Sequence, residues 1–330
     1  MRYAVLGAGP IGATLAGSLA IAGQEVFLVD PLERIIDPIT KNGLHLVISS
    51  DLGKEGTPYT ANVHASTAAD NIGPVDVVAL ATKGFHTRGA IENIRKLSDG
   101  HTVILSVQNG LGNADILEEQ FPGQVAYSVV VLGGQPAGPG AYAATLGAGE
   151  VHLPVSTSHT AVVPVLQRMS QEAAASPMCI RYMEKKEIDK KLWNKLCLNV
   201  VVNSINAIHE GPMDALFCLP QGIELANLVV DEALAVAHAL GVDIRREDVS
   251  LVPTQTQPKI TEGYRHYPSM CLDVVHHRRV EDEFINGAIV REGKKVGVPT
   301  PYNHALSLLM QIIEQSYDSR YTVTHKEENT

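Results

Sequence analysis

The composition of this chain excludes several classes of protein. Its 330 residues are enough for two domains with substantial cores, and 45% hydrophobic with 19% charged residues is too apolar for a disordered chain. The net charge of −10 argues against a nucleic acid or an anionic membrane surface as the main partner. The four cysteines form no C-x-x-C pair and the histidines show no spacing typical of a metal site, so we expect reduced thiols and no bound metal.

The first 30 residues carry a pattern typical of dinucleotide-binding domains. An apolar strand at 3–6 runs into a G-x-G-x-x-G motif at 7–12, and a second apolar strand at 26–29 ends at Asp30. The glycines let the backbone approach a pyrophosphate at a helix N-terminus, and the carboxylate can accept hydrogen bonds from ribose hydroxyls. The alternative is a glycine-rich turn that binds no nucleotide. The residues of this region predicted to bind the cofactor are Gly7, Ala8, Gly9, Pro10, Ile11, Gly12 and Asp30, and the full prediction adds Lys83, Asn109 and Glu281 from later in the chain.

The same region also resembles a membrane span or a signal sequence, because no charged residue occurs from Ala4 to Gly23. A spanning helix needs about 20 steadily apolar residues. Five glycines and a proline interrupt this stretch. We therefore expect a soluble, cytoplasmic protein without a membrane partner.

Alternating strands and helices continue through the first half. An apolar strand at 75–81 ends before Lys83, a helix follows at 88–97, and the next strand, at 102–107, ends before Asn109. Ligands of such sheets lie at the carboxyl ends of parallel strands. Lys83 and Asn109 are therefore expected beside the glycine turn.

The character of the chain changes at about residue 184, where long helical patterns begin. The helices are predicted at 187–209, 222–241, 268–296 and 301–317. We expect an α/β Rossmann-type domain with a mostly parallel sheet at 1–183, in which turns and edge hairpins at 133–149 finish the domain. An all-α domain is expected at 184–330.

The first long helix carries a polar stripe. Lys195, Asn199 and Asn203 recur every four residues, and every other residue between Leu196 and Val202 is apolar. Such a helix is buried, so its polar stripe faces a cleft or a buried partner. A functional site and a structural network of satisfied amides are equally compatible with this pattern.

Polar residues also cluster near the fourth helix pattern. Ser269 and Asp273 are four apart, and Glu281 follows. Ser269 could cap the helix N-terminus, and the two acids could be ordinary solvated carboxylates. Taken singly, each of these residues is better explained by such a structural role.

Together these residues resemble a known family. The motifs in chain order are G-x-G-x-x-G, Lys83, Gln108-Asn109-Gly110, W-x-K-L-x-x-N-x-x-x-N at 193–203, S-M-x-x-D at 269–273, E-x-x-F-I-N-G at 281–287 and Pro299-x-Pro301-x-Asn303. They span nearly the whole chain, which is similar to the ketopantoate reductase (2-dehydropantoate 2-reductase) family of pantothenate biosynthesis. The resemblance implies a two-domain enzyme with its active site in the interdomain cleft. The implied reaction is reduction of a 2-keto acid to a 2-hydroxy acid by a nicotinamide cofactor.

The resemblance also implies roles for individual residues. Lys195 matches the catalytic lysine, which polarises the keto oxygen and protonates the developing alkoxide. Glu281 matches a glutamate near the nicotinamide ribose and substrate hydroxyl, where it can orient the lysine. The implied substrate-binding residues are Asn199, Asn203, Ser269 and Asn109, of which Asn109 also touches the nicotinamide half of the cofactor. Glu232 stands where the family has a supporting acid.

Two departures from the family pattern keep details open. Members that use NADPH tend to place a basic residue after the second strand, but this chain has Asp30-Pro31, which would repel a 2′-phosphate, so NADH is favoured. Met213 stands where a polar residue often helps to hold substrate. The alternatives are therefore an NAD-dependent D-2-hydroxyacid dehydrogenase acting on another branched or aromatic 2-keto acid, and, from a different class, a non-catalytic nicotinamide-nucleotide-sensing protein.

An unrelated dehydrogenase with a helical dimerisation domain also stays open. It would place the Lys195–Asn199–Asn203 stripe at a subunit contact. The sequence is also compatible with a homodimer of the reductase itself.

Overall fold

The computed structural model describes residues 1–50, 54–146, 151–249 and 267–319. The chain divides into two compact units, Met1–Leu192 and Trp193–Thr330. The boundary expected from the sequence, between 183 and 184, precedes helix α6 (Lys185–His209), whereas the two units divide inside that helix. The sequence-based boundary stays a prediction.

The first unit contains two β-sheets. The strands that the structure describes are β1 Arg2–Leu6, β2 Glu25–Val29, β3 Leu44–Ser49, β4 Thr57–Ala61, β5 His64–Ser66, β6 Val77–Leu80, β7 Val103–Ser106, β8 Val125–Ser128, β9 Leu132–Gly138, β10 Ala141–Leu146, β11 Leu153–Ser156 and β12 Ile180–Tyr182. Within the described residues the larger sheet has the order β12-β11-β8-β7-β6-β1-β2-β5. The neighbours from β8 to β5 are all parallel, which is the strand order of a Rossmann fold, and β11 joins β8 antiparallel. The expected α/β domain with a mostly parallel sheet is confirmed.

Helices cover both faces of this sheet. They are α1 Pro10–Ile21, α2 Glu33–Asn42, α3 Thr87–Leu97, α4 Asn113–Glu118 and α5 Val163–Glu172. Alternate residues of β1 enter opposite cores: Tyr3 and Val5 pack in one, and Ala4 and Leu6 in the other. A strand buried on both faces needs apolar residues at every position, which explains the unbroken apolar runs of the sequence.

The smaller sheet contains a hairpin within the stretch where edge hairpins were expected. Strands β9 and β10 pair antiparallel, and β9 lies at the edge of a separate sheet of order β4-β3-β10-β9, which the sequence analysis did not predict. The pairing of β10 with β3 joins strands almost a hundred residues apart, which no local pattern reveals. Residues 147–149 lie outside the described part of the chain.

Helix α1 packs against strands of both sheets. Residues 12–19 are all buried, and a Cβ added to Gly17 would lie 2.5 Å from Cδ1 of Leu46 on β3. A helix surrounded by protein has no solvent face on which to carry charge. This burial explains the uncharged stretch from Ala4 to Gly23. No helix in the described ranges is long and apolar enough to cross a membrane.

The second unit, as far as it is described, is helical. After α6 its helices are α7 Met213–Phe217, α8 Pro220–Ala239, α9 Ser269–Val275, α10 Asn286–Val296 and α11 Pro301–Gln315. Gly241 follows α8 with a φ of +80°, and Pro301 occupies the first turn of α11, as the sequence predicts. The expected helical second half is confirmed.

The single helix predicted over 268–296 is wrong. The chain leaves the helix after α9, where His277 adopts a left-handed φ of 52°. Asp273 stabilises this reversal through two hydrogen bonds from Arg278. The backbone N–H of Arg278 donates to the carbonyl of Asp273 at 2.8 Å, and its guanidinium donates to the carboxylate of Asp273 at 3.0 Å. A short 3-10 helix, Asp282–Phe284, then leads into α10.

Candidate active site

The glycine turn of the first unit has the geometry of a nucleotide-binding loop. Gly7 has a φ of +102°, and a Cβ there would lie 3.0 Å from the carbonyl of Ala81. A Cβ on Gly12 would lie 1.9 Å from the carbonyl oxygen of Gly7. At Gly9 no heavy atom lies within 4 Å of the added Cβ. The turn therefore requires glycine at 7 and 12 and leaves open space beside the backbone at 9, which fits a bound phosphate.

Asp30 lies against this turn. Its two carboxylate oxygens accept the backbone N–H groups of Ala8 at 2.9 Å and Leu32 at 3.0 Å. Asp30 is half-buried, and a carboxylate offers about four acceptor positions, so it can still accept hydroxyl groups of a ribose. Helix α1 begins after Gly9 with Pro10 in its first turn, and no side chain caps its N-terminus. The N–H groups of its first turn are therefore available to a bound anion.

Tyr142 supports the glycine turn from the smaller sheet, a contact that the sequence analysis missed. Its hydroxyl donates to the carbonyl of Ala8 at 2.6 Å. Burial raises the pKa of Tyr142, and the charge of Asp30 acts in the same direction, so the phenol stays a hydrogen-bond donor. The only sequence signal is an aromatic residue within a hairpin of small residues.

Lys83 and Asn109 follow strands β6 and β7, at the carboxyl edge of the parallel sheet. Both are half-buried. Between them lies the buried Gln108, whose amide donates to the carbonyl of Thr82 at 3.1 Å and to the hydroxyl of Thr87 at 2.9 Å. One side chain thus joins the turn that carries Lys83 to the loop that carries Asn109.

Two further side chains complete this link. The hydroxyl of Thr87 donates to the carbonyl of Gly84 at 2.7 Å, and the amide of Asn113 donates to the carbonyl of Asn109 at 2.9 Å. Both side chains are buried. The sequence analysis assigned no role to these three residues. A polar side chain directly after an apolar strand is a signal that could have pointed to Gln108.

In the second unit, α6 carries the predicted polar stripe. Lys195 and Asn199 are half-buried and Asn203 is buried, while residues 200–207 of the helix are buried on every side. The expectation of a buried helix with one polar stripe therefore agrees with the structure.

Lys195 and Glu281 interact electrostatically. Burial lowers the pKa of Lys195 to about 8, and the negative charge of Glu281 opposes this shift. Glu281 is itself buried and immediately precedes the 3-10 helix before α10. A lysine with a pKa near neutral pH can donate its proton and regain it under physiological conditions.

The other predicted residue, Ser269, is the first residue of α9 and is exposed. The N-cap of that helix is Pro268, and no side chain caps it, so the alternative of a capping serine is wrong. Met213 begins α7 and is buried.

The asparagine of the E-x-x-F-I-N-G motif joins three helices. Asn286 is fully buried, and its amide nitrogen donates to the carbonyl of Val200 on α6 at 2.9 Å and to Oδ1 of Asn303 on α11 at 3.1 Å. Its carbonyl oxygen accepts the hydroxyl of Ser204. Val200 and Ser204 form the row of α6 next to the polar stripe, so this network holds the helix that carries Lys195.

Asn303 and Glu232 extend the network to α8. The amide of Asn303 donates to the carbonyl of Val229 at 3.0 Å and to the carboxylate of Glu232 at 2.8 Å. The same carboxylate accepts the backbone N–H groups of Tyr302 at 2.8 Å and Asn303 at 2.9 Å. Glu232 therefore caps the N-terminus of α11, where a negative charge is favourable. In the described part of the chain Glu232 is a structural acid.

No group of three or more His, Cys, Asp or Glu residues suited to a metal ion occurs in the part of the chain that the structure describes. The candidate site therefore consists of two residue sets, one in each unit: the glycine turn with Asp30, Lys83 and Asn109, and the stripe of α6 with Glu281.

Both units of the chain resemble known proteins. The family model "Ketopantoate reductase PanE/ApbA" matches residues 3–157, and "Ketopantoate reductase PanE/ApbA C terminal" matches residues 187–314. A 2-dehydropantoate 2-reductase from Pyrobaculum aerophilum is 30% identical over 255 residues, which cover 76% of this chain and 81% of that protein.

Solved structures share the fold over nearly the full length. The crystal structure of a PanE/ApbA family ketopantoate reductase from Ralstonia eutropha is 29% identical and superposes with a TM-score of 0.79, covering 96% of this chain and 99% of that one. D-mandelate dehydrogenase, solved with NADH and anilino(oxo)acetate, is 24% identical with a TM-score of 0.80 and the same coverage, which shows a shared fold. The motifs, the fold and these matches together place the chain in the ketopantoate reductase family of oxidoreductases.

Proposed function

We propose that this protein reduces 2-dehydropantoate to pantoate with a reduced nicotinamide cofactor. One observation carries the proposal: a half-buried lysine on a buried helix, with a pKa lowered to about 8 and a buried glutamate as its electrostatic partner. A protein that only sensed nucleotides would need no such proton donor. Membership of the family supports the same reaction.

The residues of the first unit are proposed to hold the cofactor. The turn from Gly7 to Gly12 and the N-terminus of α1 bind the pyrophosphate, and Asp30 binds the adenosine ribose. Lys83 and Asn109, at the carboxyl edge of the sheet, bind the nicotinamide half. When bound, the cofactor supplies a hydride to the keto carbon.

The residues of the second unit are proposed to bind and protonate the substrate. Protonated Lys195 donates a hydrogen bond to the keto oxygen and then transfers its proton to the alkoxide as negative charge develops there. Glu281 keeps the lysine charged and oriented. Asn199 and Asn203 bind hydroxyl and carboxylate oxygens of the substrate, and Ser269 contacts the carboxylate. The location of the active site in an interdomain cleft stays a prediction from the sequence.

We further propose NADH as the preferred cofactor. The carboxylate of Asp30 lies at the end of β2, where an NADPH-dependent enzyme must accommodate a 2′-phosphate. Repulsion between that phosphate and the carboxylate would weaken NADPH binding.

A second candidate function is reduction of a branched or aromatic 2-keto acid to a D-2-hydroxy acid. It is favoured by the apolar Met213 and by the similarity of the fold to that of D-mandelate dehydrogenase. The two functions differ only in what holds the substrate side chain, so kinetics can separate them.

The test is a comparison of three substrates with purified protein. Trimethylpyruvate is 2-dehydropantoate without its hydroxyl group, and phenylglyoxylate carries an aromatic ring instead. A site that hydrogen-bonds the hydroxyl should reject trimethylpyruvate, so we expect kcat/KM for 2-dehydropantoate to exceed both others by at least about 100-fold. A higher kcat/KM with phenylglyoxylate or trimethylpyruvate would replace the first proposal by the second.

A further inference from the structure

Hydrogen bonds to helix α11 hold the backbone on both sides of Glu281. The N–H of Val280, the residue before it, donates to the carboxylate of Glu314 at 2.9 Å. Asp282, the residue after it, accepts a hydrogen bond from the hydroxyl of Ser307. Val280, Glu281 and Asp282 are all buried. A residue whose two neighbours are both bonded to one helix has little freedom to move relative to that helix.

The two attachment points lie on one face of α11. Ser307, Gln311 and Glu314 are spaced by four and three residues, so they form one row along the helix, which we call the anchoring row. Gln311 connects its ends, because its amide donates to the hydroxyl of Ser307 at 3.2 Å. Asn303, one turn earlier, bonds Asn286 and through it the helix that carries Lys195. Helix α11 therefore holds both the lysine helix and the segment of Glu281.

Helix α10 packs closely against the same segment. A Cβ added to Gly287 would lie 3.0 Å from the carbonyl oxygen of Asp282. That oxygen also accepts the N–H of Ile285 at 2.9 Å, and the carbonyl of Glu281 accepts the N–H of Phe284 at 3.0 Å. The 3-10 turn after Glu281 is thus closed on itself and enclosed by α10.

The charges around the row show what Glu314 contributes. Burial raises the pKa of Asp282, the charge of Glu314 adds to this shift, and hydrogen bonds from two side chains of the row oppose it. The ion pair of Glu314 with Arg279 is long, at 3.9 Å, and solvent-exposed pairs contribute little. The bond to the N–H of Val280, rather than the negative charge, is therefore the contribution that favours an acceptor at position 314.

We propose that the anchoring row positions Glu281 and, through it, Lys195. The inference rests on the proposed function, in which Glu281 keeps Lys195 charged and oriented. The row itself contacts neither substrate nor cofactor in this proposal. Because the attraction between two charges falls with distance, release of the segment weakens the hold of Glu281 on the ammonium. A displacement of about 1 Å is enough to misplace a proton donor.

Substitutions at position 314 test the row. Glu314→Ala removes the acceptor of the Val280 N–H, whereas Glu314→Gln keeps an oxygen there. With the keto acid that the protein reduces fastest, Glu314→Ala should lower kcat/KM by about 10- to 100-fold and move the falling limb of its pH profile to lower pH. Glu314→Gln should stay within about 3-fold of the unaltered protein, as should Gln315→Ala, the matched control at the next, exposed position.

A double-mutant cycle separates positioning from a general loss of structure. If the row acts through Glu281, Glu314→Ala should cost less than about 3-fold in kcat/KM when Glu281→Gln is already present. Ser307→Ala, at the other attachment point, should be non-additive in the same way. Losses of the same size with and without Glu281→Gln would overturn the proposal, because they would show that the row acts independently of Glu281.

Hydrogen exchange tests the attachment without any assay of activity. Glu314→Ala and Ser307→Ala should each speed exchange of the backbone amides of residues 280–285 by at least about 10-fold, and Gln315→Ala should not. Unchanged exchange in both would overturn the proposal even if activity fell. Faster exchange, combined with a pH profile that Glu281→Gln leaves unaltered, would instead refute the role of Glu281 in the proposed function, and the positioning of Lys195 with it.

Discussion

At the scale of single residues, the account rests on a few polar side chains with well-defined surroundings. The sequence identified Lys195, Glu281 and Asp30 through motifs, because spacing along a helix or after a strand is a local property. It assigned no role to Tyr142 or Gln108, whose partners are distant in sequence or in another element. Motif reasoning points to candidate ligand-binding residues more readily than to residues that hold the backbone around them.

The electrostatic link between Lys195 and Glu281 predicts a pH effect. Reduction requires the protonated lysine, so kcat/KM should fall as pH rises through the pKa of about 8. Glu281 raises that pKa, so Glu281→Gln should move the falling limb to lower pH by about 1 unit or more. The measurement is a pH profile of kcat/KM for both proteins. A limb that moves to higher pH would show that the glutamate does not stabilise the ammonium.

The position of Asp30 predicts cofactor selectivity. With the carboxylate present, kcat/KM should be at least about 10-fold higher with NADH than with NADPH. Asp30→Asn removes the charge and keeps nearly the same side-chain size. It should lower the ratio of kcat/KM with NADH to kcat/KM with NADPH, mainly by raising kcat/KM with NADPH. Asp37→Asn, which removes an exposed carboxylate from α2, is the control and should leave the ratio unchanged. A wild-type preference for NADPH would refute the argument.

At the scale of elements, most segments for which the sequence analysis gave bounds have the predicted type. Strands β1, β2, β6 and β7 and helices α3, α6 and α8 lie within a few residues of their predicted positions, because apolar periodicity is strong there. The single helix predicted over 268–296 is interrupted after Val275 by a left-handed residue, His277, and by the hydrogen bond that Arg278 donates to the carboxylate of Asp273. Periodicity does not report either feature.

The buried amide network predicts a specific loss of stability. Asn303→Ala removes one buried hydrogen bond from each of three groups: the carbonyl of Val229, the amide of Asn286 and the carboxylate of Glu232. We expect a loss of about 2–4 kcal/mol in the free energy of unfolding, measured by urea denaturation of the second unit's helical signal. His304→Ala, at the next and exposed position, should cost less than about 0.5 kcal/mol. Equal effects of the two changes would contradict a structural role for the network.

At the scale of the whole molecule, the chain combines a Rossmann-type unit with a helical unit, and each supplies one set of candidate residues. The order of these units was predictable because their sequence patterns differ along the whole length. The second sheet was not, since its strands come from two separate stretches whose pairing no local pattern reveals.

The proposed roles of the two units can be tested separately, because Lys195 should then affect the chemical step without affecting cofactor affinity. Lys195→Met keeps a long side chain but removes the ammonium, and Lys191→Met changes an exposed lysine of the same helix. The decisive measurement is kcat with 2-dehydropantoate alongside the NADH dissociation constant. We predict that kcat falls by at least about 1000-fold in Lys195→Met alone, while NADH affinity stays within about 2-fold in both variants. If Lys195→Met retains kcat within about 10-fold of the unaltered protein, Lys195 is not the proton donor.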